Sequence, residues 1–253
     1  MAAIMIFFWH QPYIMPLKVF VVYLHELSHA LGALITGGNV QYLVINWDES
    51  GFTRTSGGNF LAITSSGYIG SILFGSLMLR TAIISRYEKI FSIFTGFIVL
   101  VFPLVFPQKL SNPVLIMGVS WGLFFIFSGL LSLILSRALL FLMGGLTSLY
   151  SLYDLNDFFR GDIAHTDAGI IAAHYFQDES VRMIFSYLIG ILISALSVWI
   201  LFEMIHNALH VSKQLIEDTR VSEEELRQME ILSSLTPESI DLIVKMHGER
   251  SKP

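Results

Sequence analysis

The sequence predicts an all-α polytopic membrane protein with about six transmembrane helices, a short β-hairpin after the first helix and a small cytosolic helical tail at the C-terminus. Hydrophobic residues make up 54% of the 253 residues and charged residues only 14%. Soluble domains usually carry about a quarter charged residues, so this composition is typical of a membrane protein. Apolar stretches of the length that a helix needs to cross a bilayer also recur along the chain.

Six stretches have that length and composition. They cover about 13–35, 60–85, 90–106, 114–135, 138–153 and 183–205. The first is too long for a signal peptide and lacks a small-residue cleavage site, so we expect it to remain as a span. With six alternating spans, more of the flanking Lys and Arg residues fall on the side that holds both termini. This distribution favours cytoplasmic termini.

The remaining bulk properties exclude several kinds of protein. The formal net charge is −5, so nothing in the charge predicts a nucleic-acid partner. The chain has no Cys, which excludes disulfides and thiolate metal sites.

The residues after the last span are more polar, so we predict a membrane domain over 1–207 and a soluble helical tail over 208–253. Ser222 and Glu225 form a capping box, which predicts that a helix begins there. A second helix is predicted over about 236–248, because a Thr-Pro pair precedes it and a glycine ends it.

The first span contains three costly polar side chains, His25, Glu26 and His29, in the pattern HELSH. Positions i and i+4 of a helix lie on one face, so both imidazoles can reach one metal ion. Zinc suits this arrangement because it binds neutral imidazole nitrogen and keeps a position for water. Glu26 is then placed to act as the general base that takes a proton from the zinc-activated water.

Other readings of these three residues are a hydrogen-bonded interior cluster and a proton or ion path in a transporter. A transporter typically shows internal repeats with broken helices in two matching halves, and the sequence has neither feature. A third possibility is a membrane scaffold that has the predicted fold but no catalytic activity. The intact Glu26 argues against that reading.

Three consecutive segments resemble the site-2-protease-like intramembrane zinc metallopeptidases. HELSHALGALITGG is similar to the family's active helix, which reads HExxHA and then meets a glycine turn. VQYLVINWDESGFTRTSGGN is similar to its hairpin. Independently of the resemblance, the sequence predicts two strands, one over 40–47 from its alternation and one over 52–55, joined by a turn at 48–51. The glycine-rich segment 57–75 resembles its second core helix.

This resemblance implies a zinc endopeptidase that cleaves a transmembrane protein substrate within the lipid bilayer. It also implies a third zinc ligand, an aspartate on a later core helix that is commonly followed by glycine. In YSLYDLNDFF, Asp154 is the first choice and Asp157 the alternative. Neither is followed by glycine, so the choice stays open. The sequence identifies no substrate-binding residue and no oligomeric state.

Residues elsewhere receive structural interpretations. Thr166 or Asp167 is expected to cap a short helix over AGIIAAHYF rather than to bind metal. Gly67, Gly70 and Gly75 are expected to allow close helix packing. The hairpin is the candidate for holding an unwound stretch of substrate as an added strand.

Overall fold

A computed structural model describes residues 11–84, 86–105, 112–159 and 166–234, and the side chains of 12, 151–159, 212, 215–222, 225, 229 and 231–234 lie outside that description. A short 3-10 turn, Pro12–Ile14, precedes the first helix. The elements are α1 (Met15–Ile35), β1 (Asn39–Ile45), β2 (Gly51–Ser56), α2 (Phe60–Ile84), α3 (Glu88–Val105), α4 (Asn112–Leu131), α5 (Leu133–Phe159), α6 (Asp167–Tyr175) and α7 (Glu179–Ser234).

Six of these helices are long and apolar enough to cross a membrane. They are α1 to α5 and α7, with the fifth apolar stretch at Leu133–Tyr150 and the sixth at Glu179–Val211. The predicted fold class is therefore confirmed, including the hairpin that follows the first helix. The remaining helix, α6, has nine residues and is too short to cross a membrane, in agreement with the short helix predicted over AGIIAAHYF.

The first helix is the most buried of the six spans. Tyr23, fully buried, donates a hydrogen bond from its hydroxyl to the Val99 carbonyl of α3 (2.8 Å). Phe20 stacks on Phe125 of α4, with ring centroids 5.6 Å apart. Gly37, with φ +80°, ends α1 because this left-handed conformation favours glycine and stops helix propagation. The helix that carries the HELSH segment is thus held on several sides.

The two strands pair antiparallel and run back along α1. Leu43 pairs with Thr53 and Ile45 with Gly51. At the tip of the hairpin, the Lys18 ammonium lies 2.6 Å from a carboxylate oxygen of Glu49. Lys18 is near the start of α1 and the hairpin leaves from its end, so the hairpin covers about 25 Å of the helix. Its strands therefore lie at the same depth as the helix they accompany.

The turn between the strands is stabilised locally. The Asp48 carboxylate accepts hydrogen bonds from the Ser50 hydroxyl (2.6 Å) and the Ser50 backbone N–H (3.1 Å). These bonds hold the pKa of the Asp48 carboxyl below its usual value. At the opposite end, the strands approach closely, since a Cβ on Gly38 would lie 2.9 Å from the Gly57 carbonyl oxygen. The hairpin is therefore fixed at both ends.

Small residues let the long helices approach one another, as the sequence predicted for Gly70 and Gly75. A Cβ on Gly75 of α2 would lie 2.6 Å from the backbone nitrogen of Ser148 on α5. A Cβ on Gly70 would lie 2.6 Å from Ser28 of α1. Helices in a bilayer associate through such close packing, because lipid supplies no hydrophobic driving force between them.

An ion pair joins the start of α3 to α5. The Glu88 side chain, which is 1% exposed, accepts hydrogen bonds from the Arg137 guanidinium. Pairing makes the burial of this carboxylate tolerable, because an unpaired charge is costly away from water.

The last helix differs from the prediction in one respect. α7 continues through Ser222 without a break, so the expectation that a helix begins there is wrong. No Gly or Pro occurs between Gly190 and Pro237, and a capping box inside such a stretch does not stop a helix. The predicted helix over 236–248 lies outside the described residues. The chain divides into two compact units, Met1–Ala208 and Leu209–Pro253, and the described part of the second, 209–234, is helical.

Candidate metal centre

Two imidazole groups of α1 point to the same place. His25 and His29 are each 7% exposed, and their Nε2 atoms lie 3.1 Å apart. Their spacing of one helical turn produces this approach, as the sequence predicted. Glu26, which is 4% exposed, lies beside them on the same helix.

A carboxylate from a distant part of the chain joins the two imidazoles. Oδ2 of Asp167 lies 3.2 Å from Nε2 of His25 and 3.2 Å from Nε2 of His29. Burial opposes ionisation of this carboxyl, but the proximity of the two histidines outweighs it and lowers the Asp167 pKa. A lowered pKa favours the carboxylate form, in which Asp167 could bind a metal.

Sequence reasoning gave Asp167 no metal-binding role, and the local structure explains why. Thr166 is the residue that caps α6, since its side chain accepts a hydrogen bond from the Gly169 N–H (3.2 Å). Asp167 is then the first residue of the helix, and its side chain turns toward α1 instead of toward the helix end. One feature of the sequence could have indicated a different role for Asp167. Thr166 already caps the helix, so the adjacent aspartate is not needed as a cap.

The two aspartates named from the sequence stay predictions. Asp154 and Asp157 belong to α5, but their side chains lie outside the described residues. α5 does reach the site, because the ring of Tyr150 lies 5.2 Å from the ring of His25 and lines the same cavity. Position 154 is one helical turn further along that face of α5.

The geometry of the three atoms fits a zinc ion. His25 Nε2, His29 Nε2 and Asp167 Oδ2 form a nearly equilateral triangle with sides of 3.1, 3.2 and 3.2 Å. Zinc binds such atoms at about 2.0–2.1 Å in a tetrahedral arrangement, whose ligands are about 3.3 Å apart. The triangle therefore corresponds to one face of a zinc tetrahedron, with the fourth position left for water or substrate.

Hydrogen bonding prepares one of the imidazoles for this role. The Ile63 carbonyl of α2 lies 2.7 Å from Nδ1 of His29 and can only accept, so Nδ1 carries the proton. The lone pair of the neutral ring is then on Nε2, which faces the other two atoms. Oδ2 of Asp167 is buried and has no hydrogen-bond partner among the described residues, as expected of an atom that binds metal.

Gly67 of α2 keeps the space beside the imidazoles open. A Cβ at this position would lie 2.6 Å from Nε2 of His25 and would also collide with Nε2 of His29. The sequence predicted that Gly67 allows close packing, and the structure adds that the packing partner is the pair of imidazole Nε2 atoms. A side chain at this position would occupy the volume that a shared ion requires.

Strand β2 covers Glu26. The Thr53 hydroxyl donates a hydrogen bond to Oε2 of Glu26 (2.7 Å). Gly51 leaves room for the other oxygen, since a Cβ there would lie 3.0 Å from Oε1. A cavity of about 660 Å³ borders the imidazoles, Glu26 and Asp167, and both Gly51 and Thr53 line it. The carboxylate is thus oriented beside a space large enough for part of a peptide.

Comparison with known proteins gives a match to one family. The sequence model of the peptidase M50B-like family matches residues 1–208, a range that includes His25, Glu26, His29 and Asp167. Searches of curated proteins and of solved structures found no match.

We expect Gly67→Ala to remove most of the zinc that the purified protein binds, because the added methyl group would occupy the space beside both Nε2 atoms. Metal analysis after purification in detergent measures this. Gly70→Ala is the matched control, since it crowds the same pair of helices at Ser28 and away from the imidazole nitrogens. Equal zinc contents in Gly67→Ala and wild type would contradict the expectation.

Proposed function

The chain belongs to the peptidase M50B-like family, in agreement with its site-2-protease-like sequence, and on this premise we propose that it is an intramembrane zinc metalloprotease that cleaves membrane-spanning proteins. At the level of the family, it is an integral multi-pass membrane protein of the metalloprotease class. The observation that carries the proposal is the triangle of His25, His29 and Asp167, buried beside Glu26 on a helix that crosses the membrane.

The proposed zinc ligands are His25 and His29 through Nε2 and Asp167 through Oδ2. Three protein ligands with an open fourth position are typical of catalytic zinc sites, whereas structural sites use four. Bound there, zinc would polarise the scissile carbonyl and make a water molecule more acidic. Asp154 and Asp157 are the competing candidates for the third ligand, and metal analysis decides between them.

Glu26 is the proposed general base. It adjoins a metal-binding histidine in the sequence and borders the cavity, so it can reach a water molecule at the fourth position. The Thr53 hydroxyl occupies Oε2 and fixes the orientation of the carboxylate. Glu26 would accept the proton of the attacking water and then transfer it to the leaving amine.

Within the part of the chain that the structure describes, the sheet has two strands, and the free edge of β2 is the proposed docking site for the substrate backbone. β1 pairs with one edge of β2, and Gly51, Phe52, Thr53 and Thr55 of β2 line the cavity. Backbone N–H and C=O groups that stay unpaired at membrane depth are costly, so this edge favours an added strand. A transmembrane helix that unwinds locally near Glu26 would expose the backbone needed for this pairing.

Both termini are proposed to lie in the cytoplasm. An even number of spans places them on one side, and that side carries more of the flanking Lys and Arg residues.

Zinc content distinguishes the three candidate aspartates. We expect zinc to be lost in Asp167→Ala and retained in Asp154→Ala and Asp157→Ala, because the Asp167 oxygen completes the triangle with both imidazoles. The measurement is metal analysis of folded, detergent-purified protein. Loss in Asp154→Ala with retention in Asp167→Ala would transfer the ligand role to Asp154. Absence of zinc in folded wild type that has been supplied with the metal would instead favour an ion path.

Glu26→Gln should abolish cleavage and leave zinc content unchanged, since the amide keeps the size of the side chain but cannot accept the proton. The probe is a fusion protein whose single transmembrane segment is loosened by Gly and Pro and carries a fluorescent tag at each end. Thr53→Val should reduce the cleavage rate less than Glu26→Gln does, because it removes the hydrogen bond to Oε2 but keeps Glu26. Cleavage by Glu26→Gln at the wild-type rate would contradict the role of Glu26.

Proline substitution tests the edge of β2. Phe52→Pro and Thr53→Pro each remove one backbone N–H, and N–H groups alternate between the two edges of a strand. We expect one of the two to reduce cleavage of the fusion protein at unchanged zinc content, because it removes a donor from the free edge. Thr53→Pro also loses the hydroxyl bonded to Glu26, so its cleavage rate is compared with that of Thr53→Val, which shares this loss. Normal cleavage by both variants would exclude docking at this edge.

A further inference from the structure

We propose that Phe60 and His174 are positioning residues that hold Asp167 in place against the two imidazoles. The inference rests on the proposed function, because it concerns the third ligand of the same site. Phe60 and His174 are not among the three proposed ligands and act through the helix α6 that carries Asp167.

Asp167 depends on α6 for its position. This helix has nine residues, and Asp167 is the first of them. His174 follows seven positions later, so two helical turns place it on the same face as Asp167. Ile171, 5% exposed, lies between them on that face. A contact that holds His174 therefore also fixes the rotation of α6 about its axis, and this rotation sets the direction of the Asp167 side chain.

The partner of His174 is Phe60, the first residue of α2. The two rings stack with centroids 4.1 Å apart and planes inclined by 24°. Phe60 is half-buried and lines the cavity of the candidate metal centre, while His174 is exposed. The stack thus joins the cavity wall directly to the helix that carries the third ligand.

The same turn of α2 also orients a second ligand. The Ile63 carbonyl, three residues after Phe60, accepts the hydrogen bond from Nδ1 of His29. One turn of α2 therefore contacts His29 directly and Asp167 through His174. This arrangement fixes the distance between ligands that are far apart in the sequence, which is the function expected of groups that support a metal site.

A second stack provides a matched control. Phe176, directly after α6, stacks on Phe185 of α7 with centroids 4.0 Å apart and planes inclined by 22°. Its geometry is nearly that of the Phe60–His174 stack, but it connects α6 to α7 and not to α2. Ala168 of α6 is likewise packed by Tyr187 and Ile189 of α7. If the contact with α2 is the one that aligns Asp167, loss of the Phe176 stack should reduce zinc affinity much less than loss of the His174 stack.

The test measures zinc affinity of the full chain in detergent, by competition with a chromophoric chelator. His174→Ala and Phe60→Leu should each weaken zinc binding by about tenfold or more, the range in which loss of a supporting group affects a metal site. The double variant should bind zinc no more weakly than the single variant with the lower affinity, because the two substitutions remove the same contact. His174→Phe should restore affinity, since it rebuilds the stack without the imidazole.

Thermal unfolding of each variant with and without zinc separates positioning from general stability. A positioning role predicts that His174→Ala reduces the rise in Tm caused by zinc while leaving the Tm of the zinc-free protein near that of wild type. Phe176→Ala should keep the wild-type zinc affinity. Equal losses of affinity in His174→Ala and Phe176→Ala would overturn the inference, because any anchor of α6 would then serve.

Two further outcomes distinguish this inference from the proposed function. If wild type binds zinc, Asp167→Ala loses it and His174→Ala keeps full affinity, the positioning role is wrong and the zinc site stands. If wild type binds no zinc, both the zinc site and the positioning role are wrong.

Discussion

The rest of the structure depends on one constraint, the burial of two imidazoles and a carboxylate within a helix that crosses a membrane. Each of these groups is costly away from water unless it has a partner. Three different elements supply the partners. The start of α2 provides the Ile63 carbonyl for His29, β2 provides the Thr53 hydroxyl for Glu26, and α6 brings Asp167 to both histidines.

Small residues make these contacts possible. Gly67 lets α2 lie against the imidazoles, and Gly51 lets β2 lie against Glu26. Gly70 and Gly75 extend the close packing of α2 to α1 and α5. In a bilayer, helices gain little from apolar side chains alone, so the same small residues that bring the helices together also leave room for the site.

The hairpin connects this site to its proposed substrate. Its tip is tied to α1 by the Lys18–Glu49 ion pair, and its base is closed where Gly38 meets Gly57. Between these two points, β2 lies along the cavity with Thr53 bonded to Glu26. An edge that is fixed in this way presents backbone groups at a constant distance from Glu26, the proposed general base, as a protease needs if the scissile bond is to be placed reproducibly.

The local features of this protein follow from its sequence, because they depend on short-range periodicity and composition. The six spans, the hairpin, the HELSH pair on one helix face and the Thr166 cap all depend on residues close together in the chain. The approach of Asp167 to His25 and His29 was decided only by the tertiary structure, since more than a hundred residues separate them and the packing of α6 against α2 sets the direction of the carboxylate. Local patterns can also mislead. The capping box at Ser222 predicted the start of a helix, but α7 continues through this position because the residues on both sides favour a helix.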